Sequence, residues 1–129
     1  MCEQCDKIIK NIWPKMPIGK RYRTPDLYRG KDFYIDEKSN QGIKIVPQNI
    51  SITKASFLAA LHQLFENEHH FKNQCEIRSS NSITASGPLC IASRDKNSNV
   101  RCINYILPIL QNFQIVGIDP VRPNKTWLI

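Results

Sequence analysis

Asn99-Val100-Arg101-Cys102-Ile103-Asn104-Tyr105-Ile106-Leu107-Pro108-Ile109-Leu110-Gln111-Asn112-Phe113 is the most informative stretch of the chain, together with the short hairpin that follows it. Val100, Ile103, Leu107 and Leu110 recur at helical spacing, with Ile106 and Phe113 flanking them, so a helix over 99–113 is expected with one face on a core. Arg101, Asn104, Tyr105, Gln111 and Asn112 are left for its other sides. Asn97, Ser98 or Asn99 is the expected cap, and Pro108 should kink the helix by removing a backbone bond. Gln114 to Ile118 and Lys125 to Ile129 then read as two strands about Asp119-Pro120-Val121-Arg122-Pro123-Asn124. Two prolines stiffen that turn, and Arg122 and Lys125 stand at or beside its tip.

Upstream of this stretch, Pro88 to Arg94 reads as a short helix opened by a proline, whose missing N–H costs little there. Ser79 to Gly87 is a polar loop and Glu76 to Arg78 a short strand. Thr53 is placed to cap a helix over Lys54 to Asn67, with Phe57, Leu58, Leu61, Leu64 and Phe65 facing a core. Before it, Lys31 to Ile35 and Gly42 to Pro47 make a hairpin through the polar connection Asp36 to Gln41, and Ile50 to Thr53 offers a third strand. Asp6 to Trp13 is a short helix stopped by Pro14 and Pro17, and Lys15 to Pro25 reads as an extended basic arm.

The 129 residues suit one domain. The expected fold class is α+β: a small β-hairpin and helix unit beside a C-terminal unit. Residues 1–25 are expected to form the short helix and arm, and 26–129 a single domain. No long apolar run predicts a membrane span and no signal-peptide pattern opens the chain, so a cytoplasmic protein is expected. Cys2, Cys5, Cys75, Cys90 and Cys102 make an odd count, and reduced thiols are the natural reading. The net charge of +7 is concentrated at the two ends. Residues 1–44 hold ten basic against six acidic side chains, 45–80 three of each, and 81–129 five against two. A polyanion partner suits that distribution, because phosphate neutralisation drives sequence-independent affinity.

With its final helix, the short helix before it and the basic-tipped hairpin after it, the last third of the chain resembles the winged-helix DNA-binding family. The resemblance covers 88–129 and rests on the order of elements. A three-helix core is expected before the wing, and Lys54 to Asn67 is the candidate for its first helix. The resemblance implies DNA binding, in a regulatory or modification-associated role. Arg101, Asn104 and Tyr105 would probe bases from the final helix, as Arg and Asn pair bidentately with guanine and adenine edges. Arg122, Lys125, Arg21 and Arg23 would anchor phosphates. No catalytic residue, metal or cofactor is expected, and a protein partner or homodimer stays open.

Two alternatives come from other classes. Pro25-Asp26 followed by Asp36-Glu37-Lys38 formally matches a metal-dependent nuclease set in which Asp26 and Asp36 hold Mg²⁺ beside Lys38. The other is a protein-interaction module, or a subunit of a larger complex, in which the final helix and hairpin bind a partner chain; it requires an exposed apolar patch beside Tyr105 and Ile109. Cys2-x-x-Cys5 is half of a zinc site, to be completed by His62, His69, His70 or Cys75. Incidental cysteines are the simpler reading, and His69-His70 reads as a solvated helix end.

Overall fold

The computed structural model describes residues 2–129. The chain is α+β, with four helices and two antiparallel sheets. Helix α1 (Glu3–Ile12) runs into a 3-10 turn at Trp13–Lys15. Strands β1 (Arg21–Arg23), β2 (Asp32–Lys38), β3 (Gly42–Val46) and β4 (Ile50–Thr53) form the first sheet in sequence order. Helix α2 (Lys54–Glu66) leads to strand β5 (Cys75–Glu76). Helices α3 (Pro88–Asp95) and α4 (Ile103–Asn112) precede strands β6 (Val116–Asp119) and β7 (Lys125–Leu128). In the second sheet β7 lies between β5 and β6.

The first sheet alternates as a half-buried sheet must. Tyr22, Phe33, Ile35, Ile43, Ile45 and Ile52 face the core, and the residues between them face outward. Asp36, Glu37 and Lys38 continue β2 and do not form the expected turn; the register shifts by one residue at Asp36, and only Ser39–Gln41 connects the strands. Lys38 explains the extension. Its Nζ donates to the carbonyls of Trp13 at 3.0 Å, Pro14 at 3.3 Å and Met16 at 3.0 Å, satisfying the acceptors left open where α1 ends. Trp13 Nε1 returns a bond to the Ser39 carbonyl at 2.7 Å. Residues 1–25 are therefore bound into the whole: Cys5, Ile9, Ile12, Trp13 and Met16 join the common core, and 21–23, expected as a free arm, is an edge strand.

Helix α2 follows its sequence pattern. Thr53 Oγ1 accepts from the Ser56 amide at 3.1 Å, and Phe57, Ala60, Leu61 and Leu64 are buried, with Leu58 and Phe65 at the margin. The final helix departs from expectation. It begins at Ile103, four residues late, and Ile103, Ile106, Leu107, Pro108, Ile109 and Leu110 are all buried. Val100, expected in the core, is exposed. The reason lies in the caps: Asn97 is buried and spent on another element. Its Oδ1 accepts from the Thr53 amide at 2.9 Å, and its Nδ2 donates to Ser51 and Val100 carbonyls. Pro108 sits inside α4, leaving the Asn104 carbonyl without its helical donor.

Helix α4 is covered on two sides, by β6 and by the first sheet. Phe33 from β2 stacks on Tyr22 and meets the Tyr105 ring edge-on at 5.1 Å. The closing hairpin is tight. A side chain at Gly117 would meet the Trp127 ring at 2.4 Å, so the indole lies flat across the glycine.

Cys90 and Cys102 are fully buried, as their apolar contexts predict. Cys2 and Cys5 form a disulfide, which corrects the expectation of five reduced thiols; Cys75, Cys90 and Cys102 are free. Odd-count reasoning overlooked that one pair can close three residues apart and leave three thiols. Among the described residues no helix is long and apolar enough to cross a membrane.

Candidate nucleic-acid interface

Four arginines from four separate segments converge on one cleft of about 570 Å³. Arg29 comes from the loop after β1, Arg78 from the loop after β5, Arg101 from the turn before α4, and Arg122 from the tip of the last hairpin. Asn104, in the first turn of α4, lines it with them. Asp26 and Glu76 are the carboxylates on its walls.

One wall is the loop 24–31. The Thr24 amide donates to the Lys31 carbonyl at 3.0 Å, and the Lys31 amide to Thr24 Oγ1 at 2.8 Å, closing the loop on itself. Asp26 Oδ1 accepts from the amides of Tyr28 and Arg29, and its Oδ2 accepts from Arg122 Nε at 2.7 Å. The Leu27 amide reaches the Pro120 carbonyl at 2.9 Å. These bonds clamp the loop to the hairpin tip. The Arg122 guanidinium, then the Tyr28 amide, hold the Asp26 carboxyl below the usual carboxylate range. Asp26 is thus spent on a turn and an ion pair.

The opposite wall is strained and incompletely satisfied. Arg78 has φ of +42°, an uncommon conformation for a residue with a side chain. It is fixed by the Gly87 amide, which donates to the Arg78 carbonyl at 3.0 Å. A Cβ on Gly87 would approach the Arg78 stem to 2.9 Å. Beside it, Ser79 Oγ is buried with no hydrogen-bond partner among the described residues. An unpaired hydroxyl next to strained backbone is a feature that a bound group would satisfy.

Both inner edges are set by Arg94, a residue whose role the sequence did not signal. It is 6 % exposed, with no ion-pair partner. Nη1 donates to the Ser80 carbonyl at 2.9 Å, Nη2 to the carbonyls of Asn81 and Asn99, and Nε to Asn99 Oδ1 at 3.1 Å. It therefore ties the segment after Ser79 to the turn that carries Arg101.

The cleft adjoins two smaller depressions. The first shares Thr24, Pro25 and Asp26 with it and continues to Arg23 and Gln111. The second shares Arg23 and Gln111 with the first and ends at Lys20, Arg21 and Asn112. Lys20, Arg21, Arg23, Arg29, Arg78, Arg101 and Arg122 thus follow one connected path. Arg21 stands 3.9 Å from Asp32, and Arg23 donates to the Leu27 carbonyl at 3.1 Å.

Of the residues expected from sequence to meet nucleic acid, Arg101, Asn104 and Arg122 share the cleft, and Arg21 and Arg23 lie further along the path. Tyr105 is elsewhere: half-buried against Phe33, its hydroxyl held above the usual phenol range by burial. Lys125 lies in β7 opposite Glu76 on one neighbour and Asp119 on the other, flanked by carboxylates. Arg29 and Arg78 were missed; nothing in their local sequence marks them.

The two alternative constellations are dispersed. Asp36 and Lys38 line a shallow depression on the first sheet, away from the walls that hold Asp26, and Lys38 is engaged at three carbonyls. Ile109, half of the apolar patch that an interaction module requires, is fully buried. Among the described residues no group of three His, Cys, Asp or Glu side chains could hold a metal ion. In comparisons with known proteins, no family model, no curated protein and no solved structure matches the chain.

Proposed function

We propose that this protein binds DNA along the basic path, with Arg29, Arg78, Arg101 and Arg122 as the principal phosphate anchors. The observation that carries this reading is the convergence of those four arginines, against two carboxylates, at the head of a connected line of basic side chains. An extended polyanion is the ligand class that such a line fits, and guanidinium groups bind phosphate oxygens bidentately. Asn104 is the side chain placed to meet a base edge. The first turn of α4 adds the favourable end of a helix dipole.

The winged-helix reading is supported by three helices, α2, α3 and α4, followed by a basic-tipped hairpin. The mode of binding differs from that reading in one respect. Because β1 and β2 cover α4 and hold Tyr105, the helix does not lie lengthwise in a major groove, and contact is made through its N-terminal end and the surrounding loops. A regulatory or modification-associated role and a cytoplasmic setting belong to the same proposal.

The test is fluorescence anisotropy with labelled duplex DNA across a salt series. Neutralising four phosphates gives a slope of about −3.6 in log affinity against log salt, or about 150-fold between 50 and 200 mM. Arg78→Ala/Arg101→Ala should reduce the slope to about −1.8 and the loss to about 12-fold. An unchanged slope in the double variant removes the cleft from the interaction, and no binding at low salt removes the function.

A further inference from the structure

The Cys2–Cys5 pair takes no part in the basic path. Cys2 is the N-cap of α1, and its Sγ accepts a hydrogen bond from the Cys5 amide at 3.1 Å. Cys2 is half-exposed, whereas Cys5 is 1 % exposed and joins the core with Ile9 and Ile12. Both sulfur-bearing residues line an open, mainly apolar depression between α1, α2 and α3, bounded by Leu58, Ala59 and His62. The other three thiols are buried and free. Metal binding is a poor use for the pair, since among the described residues no group of three His, Cys, Asp or Glu side chains is arranged to hold a metal ion.

We propose that Cys2–Cys5 is a thiol–disulfide exchange site whose substrate class is a dithiol. The arrangement separates two roles. Cys2 is the sulfur an incoming thiolate reaches, because the depression opens on it, and Cys5 is the shielded sulfur that leaves and returns. One thiolate of the dithiol attacks Cys2 Sγ, a new S–S bond forms, and the Cys2–Cys5 bond breaks with its electron pair on Cys5 Sγ, which takes a proton. The second thiol of the substrate, deprotonated, attacks its own sulfur in the mixed disulfide, and Cys2 leaves as thiolate. The dithiol loses two electrons and two protons to become a disulfide, and the protein gains both as two thiols. In the reduced state the amide of Cys5 and the amino end of α1 favour a Cys2 thiolate, so the reverse attack starts from the same sulfur. Glu3 and Asp6 in that turn and Asp95 on the wall of the depression act in the opposite sense, and Lys96 lines the depression with the opposite charge.

The experiment treats the folded 129-residue chain with dithiothreitol, quenches with acid, labels with N-ethylmaleimide and reads the mass. The proposal expects two labels, on Cys2 and Cys5, within minutes, while the circular dichroism spectrum stays native. Oxidised glutathione should then restore the bridge. A bridge that opens only when the protein unfolds is a structural staple and overturns the proposal. So does a reduced pair that oxidised glutathione leaves open. The direction of attack is read from single variants. Cys5→Ser should form a mixed disulfide with oxidised glutathione about tenfold faster than Cys2→Ser does. Equal rates overturn the assignment of roles. If either variant fails to fold, peptide mapping of the first adduct on the reduced wild-type protein decides the same point, with glutathione on Cys2 expected and on Cys5 contradictory.

Discussion

Replacing Phe33 by alanine tests the packing on which the mode of binding rests. Phe33 is fully buried near the start of β2, stacked on Tyr22 at 5.4 Å and edge-on to Tyr105 at 5.1 Å. Truncating a buried phenylalanine costs about 3–5 kcal/mol through lost transfer energy and the cavity left behind. The two aromatic contacts, each worth about 0.5–1.5 kcal/mol beyond area, place Phe33→Ala at the upper end. Unfolding entropy of about 2.1 cal/mol/K per residue gives about 0.27 kcal/mol/K for a chain of this length, so a loss of 4 kcal/mol lowers Tm by about 15 °C. Urea denaturation followed by circular dichroism measures the free energy, and a thermal melt measures the shift. A loss below about 1 kcal/mol is incompatible with a packed aromatic cluster around Phe33. It would mean that the first sheet does not sit on α4, and that Tyr105 and the helix face are open to a duplex after all.

Arg94→Ala removes the donors that hold Ser80, Asn81 and Asn99, leaving the Ser80 carbonyl to Ser86 Oγ and the Asn81 and Asn99 carbonyls without their side-chain donor, so a loss of about 3 kcal/mol in urea denaturation is expected. DNA affinity by anisotropy should fall about tenfold with it, because both edges of the cleft loosen. Asp26 titrates below an unfolded carboxylate, so the stability it contributes is fully present above the unfolded value of about 3.9 and is lost as pH falls through the folded one. Wild type should therefore be more stable than Asp26→Asn at neutral pH, with the difference closing below about pH 4; a gap that persists at pH 2 contradicts the ion pair with Arg122. Burial pushes the Cys102 thiol up to about 11, and with the folded value raised its stabilising effect holds below the unfolded value of about 8.5 and is lost as pH rises towards 11. Native maleimide labelling at pH 8 should spare Cys102, and rapid labelling there would show that the α3–α4 region opens.

The sequence carried the parts of the fold that depend on neighbours along the chain. Thr53 ahead of an apolar 3.6-residue repeat is a local signal, and α2 begins where that signal places it. The same holds for alternation in β3 and for the two strands about the prolines of the last hairpin. What was hidden depends on partners distant in sequence. The capping residues before α4 looked interchangeable, yet Asn97 is drawn away by Thr53 and Ser51, more than forty positions earlier. Lys38 reads as turn chemistry until the carbonyls at the end of α1 arrive beside it. At the cleft, Arg101, Asn104 and Arg122 stood out because they flank recognisable elements. Arg29 and Arg78 lie in loops, and only the clamp between Asp26 and Arg122 and the left-handed turn at Arg78 bring them into register. Tyr105 was misleading for a physical reason: an amphipathic reading of α4 assumes one wet face, and the first sheet covers it through Phe33.

The proposed seat of DNA in the arginine-lined cleft is tested by hydrogen–deuterium exchange with and without a saturating duplex. Slowed exchange is expected in the loop 24–31, at 76–80, at 99–104 and at the hairpin tip 120–124, with the outer face of β3 and β4 unchanged. Protection confined to the first sheet or to α1, or no protection under conditions where anisotropy reports binding, would contradict it.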